Sequence, residues 1–170
     1  MRIEFTIPIE PVGQMRARHA AFKMKDGNVR SRTYKAADQG RHEEQIMQLL
    51  LPYRPETPIV DPIRLYVEMT FPIPASWPAW KREAALRGYV KHTAKPDKDN
   101  CEKHLLDCME TLGFFTNDSH IYRGWSVKKY GENPGWHVIL ETINEPKSAK
   151  EWGAFLKQHE DTLETLRGTE

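Results

Sequence analysis

Residues 95–118 read Lys-Pro-Asp-Lys-Asp-Asn-Cys-Glu-Lys-His-Leu-Leu-Asp-Cys-Met-Glu-Thr-Leu-Gly-Phe-Phe-Thr-Asn-Asp. Pro96 biases Lys95 toward an extended backbone, and Asp99 followed three residues later by Glu102 reads as a helix N-cap with its reciprocal partner. Beyond it Cys101, Leu105, Cys108, Met109 and Leu112 recur at helical spacing as one apolar stripe, while Asp99, Lys103 and Asp107 form an i, i+4, i+8 row on another side. Gly113 is placed to end the helix. The spacing predicts a loop, a helix and a second loop, and a fold-back of that second loop would bring Asp118 to Asp97 and Asp99.

Capping and a surface ion pair worth about 0.2–0.5 kcal/mol account for Asp99, Glu102, Lys103 and Asp107. They leave Asp97 and Asp118 without a structural task. Carboxylates brought close repel unless a cation neutralises them or one holds a proton. A set of hard oxygen ligands suits Mg²⁺ or Mn²⁺, taken through one or two carboxylates, waters and substrate phosphates. Such a site favours hydrolysis at phosphorus, and a lysine one turn away is suited to hold a phosphate oxygen or orient the water. The chemistry indicated is metal-dependent phosphodiester hydrolysis.

The order Lys95-Pro96-Asp97-x-Asp99-Asn100-x-x-Lys103-x-x-x-Asp107, then Gly113 and Asp118, resembles the signature of the RusA family of Holliday junction resolvases. A looser likeness extends to the Gly13–Arg18 segment, Pro74 and Trp77, and a lysine-bearing strand around 121–129. The resemblance implies a homodimeric, Mg²⁺-dependent endodeoxyribonuclease, with Mn²⁺ as an alternative ion, that places paired nicks in four-way DNA in recombination and repair. Such proteins belong to bacteria and their phages and prophages. Carried over position by position, it makes Asp97, Asp99 and Asp118 the metal-binding and catalytic acids and Lys103 the catalytic lysine, with Asp107 matching a further family aspartate. The family commonly has an acidic pair where this chain has Asn117-Asp118, and an Asn ligates only through a neutral carbonyl oxygen.

Outward from that stretch, the 170 residues allow one domain with a real core, and no apolar run approaches the roughly 20 residues of a membrane span. Without the pattern of a signal peptide, the chain is expected in the cytoplasm. Cys101 and Cys108 stand two helical turns apart, roughly 10 Å, and read as reduced core residues. A formal net charge of +1 does not by itself indicate a nucleic-acid partner. Its distribution says more: between Gln14 and Arg41 eight bases face two acids, a segment suited to track a phosphate backbone given the acidic motif and an ordinary solvated loop without it. Arg16, Arg18, Lys23, Lys25, Arg30 and Arg32 from this segment, with Lys95 and Lys128, are the expected DNA contacts.

Residues 2–9 alternate with Ile3, Phe5, Ile7 and Ile9 on one face, and residues 63–71 do the same with Ile63, Leu65, Val67, Met69 and Phe71. Both predict half-buried strands. Between them lie a basic excursion, read as a hairpin with Asp26-Gly27 at its tip, and a helix over about 36–51. Pro78 is placed to start a short helix to about Arg87. Trp77 and Trp80 read as core or dimer-interface residues rather than platforms for splayed bases. Residues 120–130 and 136–143 read as two strands of an antiparallel hairpin joined by 131–135. After Pro146, Trp152, Phe155, Leu156, His159, Leu163 and Leu166 mark an amphipathic terminal helix.

The expected fold is α+β: one two-layer domain over 1–146, with a mixed sheet of about four strands covered by helices, and a C-terminal helical extension over 147–170. Three rival functions fit parts of the chain. A restriction-type nuclease would use Pro96-Asp97 with Glu145-Pro146-Lys147, a general metal nuclease would cut without selecting junctions, and a binding module would hold branched DNA without cutting it. A globular interaction protein whose aspartates cap helices is the blandest reading, and Asp97 and Asp118 count against it.

Overall fold

The computed structural model describes the backbone of residues 1–14, 18–23, 29–34 and 37–157, and the side chains of 1–14 and 39–157. Its centre is a four-stranded sheet of β1 (Arg2–Ile7), β4 (Ile63–Pro72), β5 (Ile121–Gly131) and β6 (Gly135–Thr142), in the order β1-β6-β4-β5. β6 runs antiparallel to both β1 and β4, while β5 is parallel to β4. A separate antiparallel pair, β2 (Arg18–Lys23) and β3 (Val29–Tyr34), forms the basic hairpin. Its tip at Asp26-Gly27, with Arg16 and Lys25, lies outside the described residues. The helices are α1 (Ala37–Leu50), α2 (Ala79–Leu86), α3 (Lys98–Leu112) and a terminal α4 over 149–157.

The two alternating stretches form strands for the reason their pattern suggests. Phe5 and Ile7 in β1, and all five inward residues of β4, are buried, and the register sets Phe5, Val138 and Val67 in one row and Ile7, Trp136 and Met69 in the next. α1 and α3 cover this face, with Ile46, Leu50, Leu105 and Met109 fully buried against it. Burying each such side chain contributes about 1.5–3 kcal/mol, so the sheet and its helical layer form one core. The opposite sheet face carries Arg2, Glu4, Arg64, Glu68, Glu141 and Lys129, joined in ion pairs such as Lys129–Glu68 at 2.6 Å.

One expectation is corrected. β5 and β6 do not pair; β4 lies between them. Alternation shows which side chains face inward, but it does not show which strand supplies the neighbour. A direct hairpin and a crossing over β4 look alike in sequence when the connection is short. The link from Gly131 to Gly135 spans two strand spacings, about 9.6 Å, within the reach of four extended residues. Glycine is required where it lands: a Cβ on Gly135 would sit 2.7 Å from the Ile7 carbonyl oxygen.

Candidate active site

α3 begins at Asp97, not at Asp99. Asp97 takes the N-cap position with extended backbone, and its carbonyl accepts the Cys101 amide at 3.1 Å, while its side chain makes no capping bond. Asp99 stands in the first turn, where the helix dipole favours its charge. Glu102 does not reach back to close a capping box. It accepts from the Ser126 hydroxyl at 2.6 Å, and that hydroxyl accepts from the Lys98 ammonium at 2.7 Å, so the first turns of α3 are tied to β5. At the other end Gly113 adopts φ 76° and the Phe114 amide donates to the Met109 carbonyl, which completes the expected glycine stop.

The carboxylates of Asp97 and Asp99 are exposed, and among the described residues neither is engaged by a hydrogen bond or ion pair. Beside Asp97 opens a cleft of about 590 Å³ lined by Gly13, Gln14, Lys95, Pro96, Asp97 and Asn100. The Lys95–Pro96 peptide in its wall is cis. Gly13 packs so closely that a Cβ there would lie 3.0 Å from Pro96 Cβ, and the Gln14 amide donates to the Asn100 carbonyl at 3.0 Å. The Gln14 side chain donates to Asp107. These contacts seat the root of the basic hairpin on α3, between the acid pair and Asp107.

Lys103 lies one turn along from Asp99, with its ammonium 3.5 Å from Asp107. Both groups are solvated enough that the pair holds little energy, which leaves Lys103 free to turn to a ligand. Asp107 is therefore a shared anchor for Gln14 and Lys103. Under α3, Cys101 is fully buried, and burial pushes its thiol up to about 11, with the Asp97 and Asp99 charges adding and the Lys128 ammonium opposing. All three charges act on one small region at the start of the helix.

Asp118 is not part of that group. It opens the short 3₁₀ turn Asp118–His120 before β5, past the end of α3, and its neighbour Asn117 accepts the Ser119 amide at 3.0 Å as the cap of that turn. Among the described residues no three His, Cys, Asp or Glu side chains stand close enough together to hold one metal ion. Asp97 and Asp99 thus share the start of α3, Asp118 stands on the turn before β5, and among the described residues the three do not form one metal-holding group. The residues present fit a divalent ion in kind: Asp97 at the cleft and Asp99 two residues on are exposed, unspent carboxylates, the modest protein share that Mg²⁺ takes alongside water and phosphate.

Of the expected DNA contacts, Lys95 lines the cleft. The Lys128 ammonium, by contrast, donates to the Ala94 and Pro96 carbonyls at 2.7 and 2.6 Å. For Arg18, Lys23, Arg30 and Arg32 the backbone alone is described, in β2 and β3. Trp77 packs edge-on against Tyr130, while Trp80 is 71% exposed on α2. The Glu145-Pro146-Lys147 group stands in irregular chain after β6, where Lys147 pairs with Asp61 at 3.5 Å. It is no strand-borne partner for Asp97. Gln14, Ser126 and Lys128 are the residues whose part was not read from sequence. For Gln14 the signal was its place beside a glycine in the likeness around Gly13–Arg18; for the other two it was their period-2 position on the inner face of an edge strand, where apolar residues were due.

The family model for endodeoxyribonuclease RusA matches residues 8–141. The chain belongs to the RusA endodeoxyribonuclease family. The matched span holds the acid pair, the hairpin root, Lys103 and Asp118, and it leaves α4 outside. The uncharacterized protein YqaN of Bacillus subtilis strain 168 is 30% identical over 144 residues, which is 84% of this chain and 97% of that one. The match to the RusA family thus covers β4, β5, nearly all of β6 and the helices α1–α3 that position the cleft, with β1 just before it.

Proposed function

We propose that this RusA-family chain is a structure-selective endodeoxyribonuclease that resolves four-way DNA junctions, acting as a cytoplasmic homodimer in recombination and repair, with Mg²⁺ or Mn²⁺ as its ion. The observation that supports the reading best is the unspent Asp97–Asp99 pair at the start of α3, seated against the root of a basic hairpin within the family-matched span.

Asp97 and Asp99 would hold the ion, with Asp118 the third acid the family resemblance brings. When bound, a divalent ion makes water a better nucleophile near pH 7 and offsets charge on the phosphate oxygens. The chain's own groups do the rest. The hairpin, rooted at Gly13–Gln14, lays positive charge along the phosphate backbone and aligns a strand across the cleft. Lys103 turns its ammonium to a non-bridging oxygen, where negative charge grows as the water oxygen bonds to phosphorus. One bridging P–O bond breaks, leaving a phosphate end and an oxygen that takes a proton from solvent to become a hydroxyl end, while the attacking water gives its proton to solvent or to a carboxylate. Two-fold symmetry would present two such clefts to symmetry-related strands, which suits paired nicks.

The test compares a mobile four-way junction with a linear duplex of the same sequence, with Mg²⁺ and with chelator, for the wild type and Asp97→Asn. Paired nicks confined to the junction, dependent on metal and absent in the variant, are the expected result. Equal cutting of both substrates would make it a general nuclease. Junction binding without cutting would favour a non-cutting branched-DNA-binding protein, a reading that Asn117 at the family's acidic pair brings into view.

A further inference from the structure

β5 is an edge strand whose inner-face row should be apolar, yet it runs Gly124, Ser126, Lys128, Tyr130. In register these positions continue the rows of Leu65, Val67, Met69 and Phe71, all buried. The polar ones face the start of α3 instead of the core. Gly124 leaves room for Glu102, whose Oε1 would lie 3.6 Å from a Cβ there, and Ser126 holds Glu102 and Lys98. Lys128 stands one step further and holds the incoming loop.

An ammonium has three donors and no acceptor, and Lys128 spends two of them on the carbonyls that flank Lys95, those of Ala94 and Pro96. Its Nζ also lies 5.6 Å from the Phe71 ring centroid, with His92 stacked on that ring at 4.0 Å. The next residue after Pro96 is Asp97. Every degree of freedom by which the 94–96 loop could drift would move the first acid relative to the second, which is fixed in the helix. We propose that Lys128 is a positioning residue for the Asp97–Asp99 pair: its ammonium clamps the Ala94 and Pro96 carbonyls and so fixes where the first carboxylate stands at the cleft. A lysine tracking phosphate would keep its ammonium for DNA. This one is committed to backbone, and the role deepens the nuclease reading above, on which only its kinetic consequence rests.

The test uses the full chain as wild type, Lys128→Met and Lys128→Arg, with Mn²⁺ and a four-way junction as probes. In Lys128→Met the Mn²⁺ affinity and the kcat for cleavage should each fall about 10–100-fold, the range for groups that orient metal ligands, while KM and junction affinity in chelator stay within about twofold. Lys128→Arg, which keeps donors and charge, should recover most of both losses. The backbone amides of residues 94, 95 and 97–99 should shift in the Met variant and return toward wild type in the Arg variant. Unchanged Mn²⁺ affinity, kcat and amide positions would overturn the proposal. So would loss of junction affinity in chelator with a salt slope shallower by about one unit, the mark of a lost phosphate contact. Should Lys128→Met fail to fold, the wild-type Lys128 ammonium resonance decides: it stays in place when junction is added in chelator under the proposal, and it moves if the ammonium contacts phosphate. Should the wild type cut no DNA, the nuclease reading fails alone, and the amide and ammonium signals still judge the clamp.

Discussion

Asp97 separates two tasks that one side chain often combines. Its backbone starts α3, and its carboxylate stays unspent. Asn is as good an N-cap residue as Asp, so Asp97→Asn should leave the melting temperature nearly unchanged. Cleavage should fall about 10²-fold or more, as when one group acting on the transition state is lost. Junction affinity in chelator should hold or rise, because one negative charge near the phosphates is gone. Parallel loss of folding and cleavage in a thermal melt would return Asp97 to a structural role. Gln14 and Asp107 make a second residue-scale case. If their contact seats the hairpin root, Gln14→Ala and Asp107→Ala should each weaken junction binding severalfold, and the double variant should bind no worse than the weaker single one. That non-additivity corresponds to a coupling of about 0.5–3 kcal/mol in a double-mutant cycle. Strict additivity would mean the two side chains act apart.

Elements meet in this fold through polar contacts as well as through the core. α1 and α3 cross at His42 and His104, whose Nδ1 and Nε2 lie 3.1 Å apart with the rings stacked. His42 Nε2 faces the Glu10 carbonyl, an acceptor only, so it carries the proton and Nδ1 accepts from His104. Burial holds the His42 pKa below its ordinary 6.5, against weaker opposing pulls from Glu10 and Glu43. Above pH 6.5 the ring is neutral folded or unfolded and costs nothing; below it the unfolded chain takes a proton that the folded chain resists. Stability should therefore fall as pH drops below about 6.5. Thermal melts at pH 7.5 and 5.5 should show the drop, and His42→Gln should lessen it, with His92, which burial also holds below 6.5, supplying a further part. Glycines give predictions of opposite sign. Gly135→Ala forces a Cβ toward the Ile7 carbonyl and should cost about 1–3 kcal/mol in urea denaturation. Gly40→Ala meets nothing within 4 Å in α1 and should gain about 0.5–1 kcal/mol. Element identity was legible wherever alternation or helical period was clean, as in β1, β4 and α3. The order of strands was not, because Gly131 to Gly135 is short enough for a hairpin and long enough to cross β4. The start of α3 lies two residues before the expected cap, since Asp97 and Asp99 are both cap-forming residues and only the backbone chooses.

Over the whole molecule, the sequence motif named the acids in order but did not reveal their arrangement. Asp97 and Asp99 share one turn, and that much follows from spacing alone. Whether Asp118 joins them depends on where the chain goes after Gly113, which the apolar pair Phe114 and Phe115 decides by burying itself in the core beside Ile59. The sequence marks these phenylalanines as apolar without saying that they pin the chain beside Ile59 before the turn that carries Asp118. On the proposed reading, a nuclease with one Asp97–Asp99 pair in each chain would need two copies to cut two strands. Mixing wild type with an excess of Asp97→Asn and allowing subunits to exchange should therefore yield dimers with one working cleft. On a mobile junction these should give singly nicked four-way DNA in place of resolved duplexes, and the nicked share should rise with the excess of variant while total binding stays level. If each chain acted alone, the surviving wild type would still place its two nicks independently, and resolved product would fall only in proportion to dilution. Denaturing and native gels of the same time course separate the two outcomes, because a single nick shows only on the first and resolution shows on both.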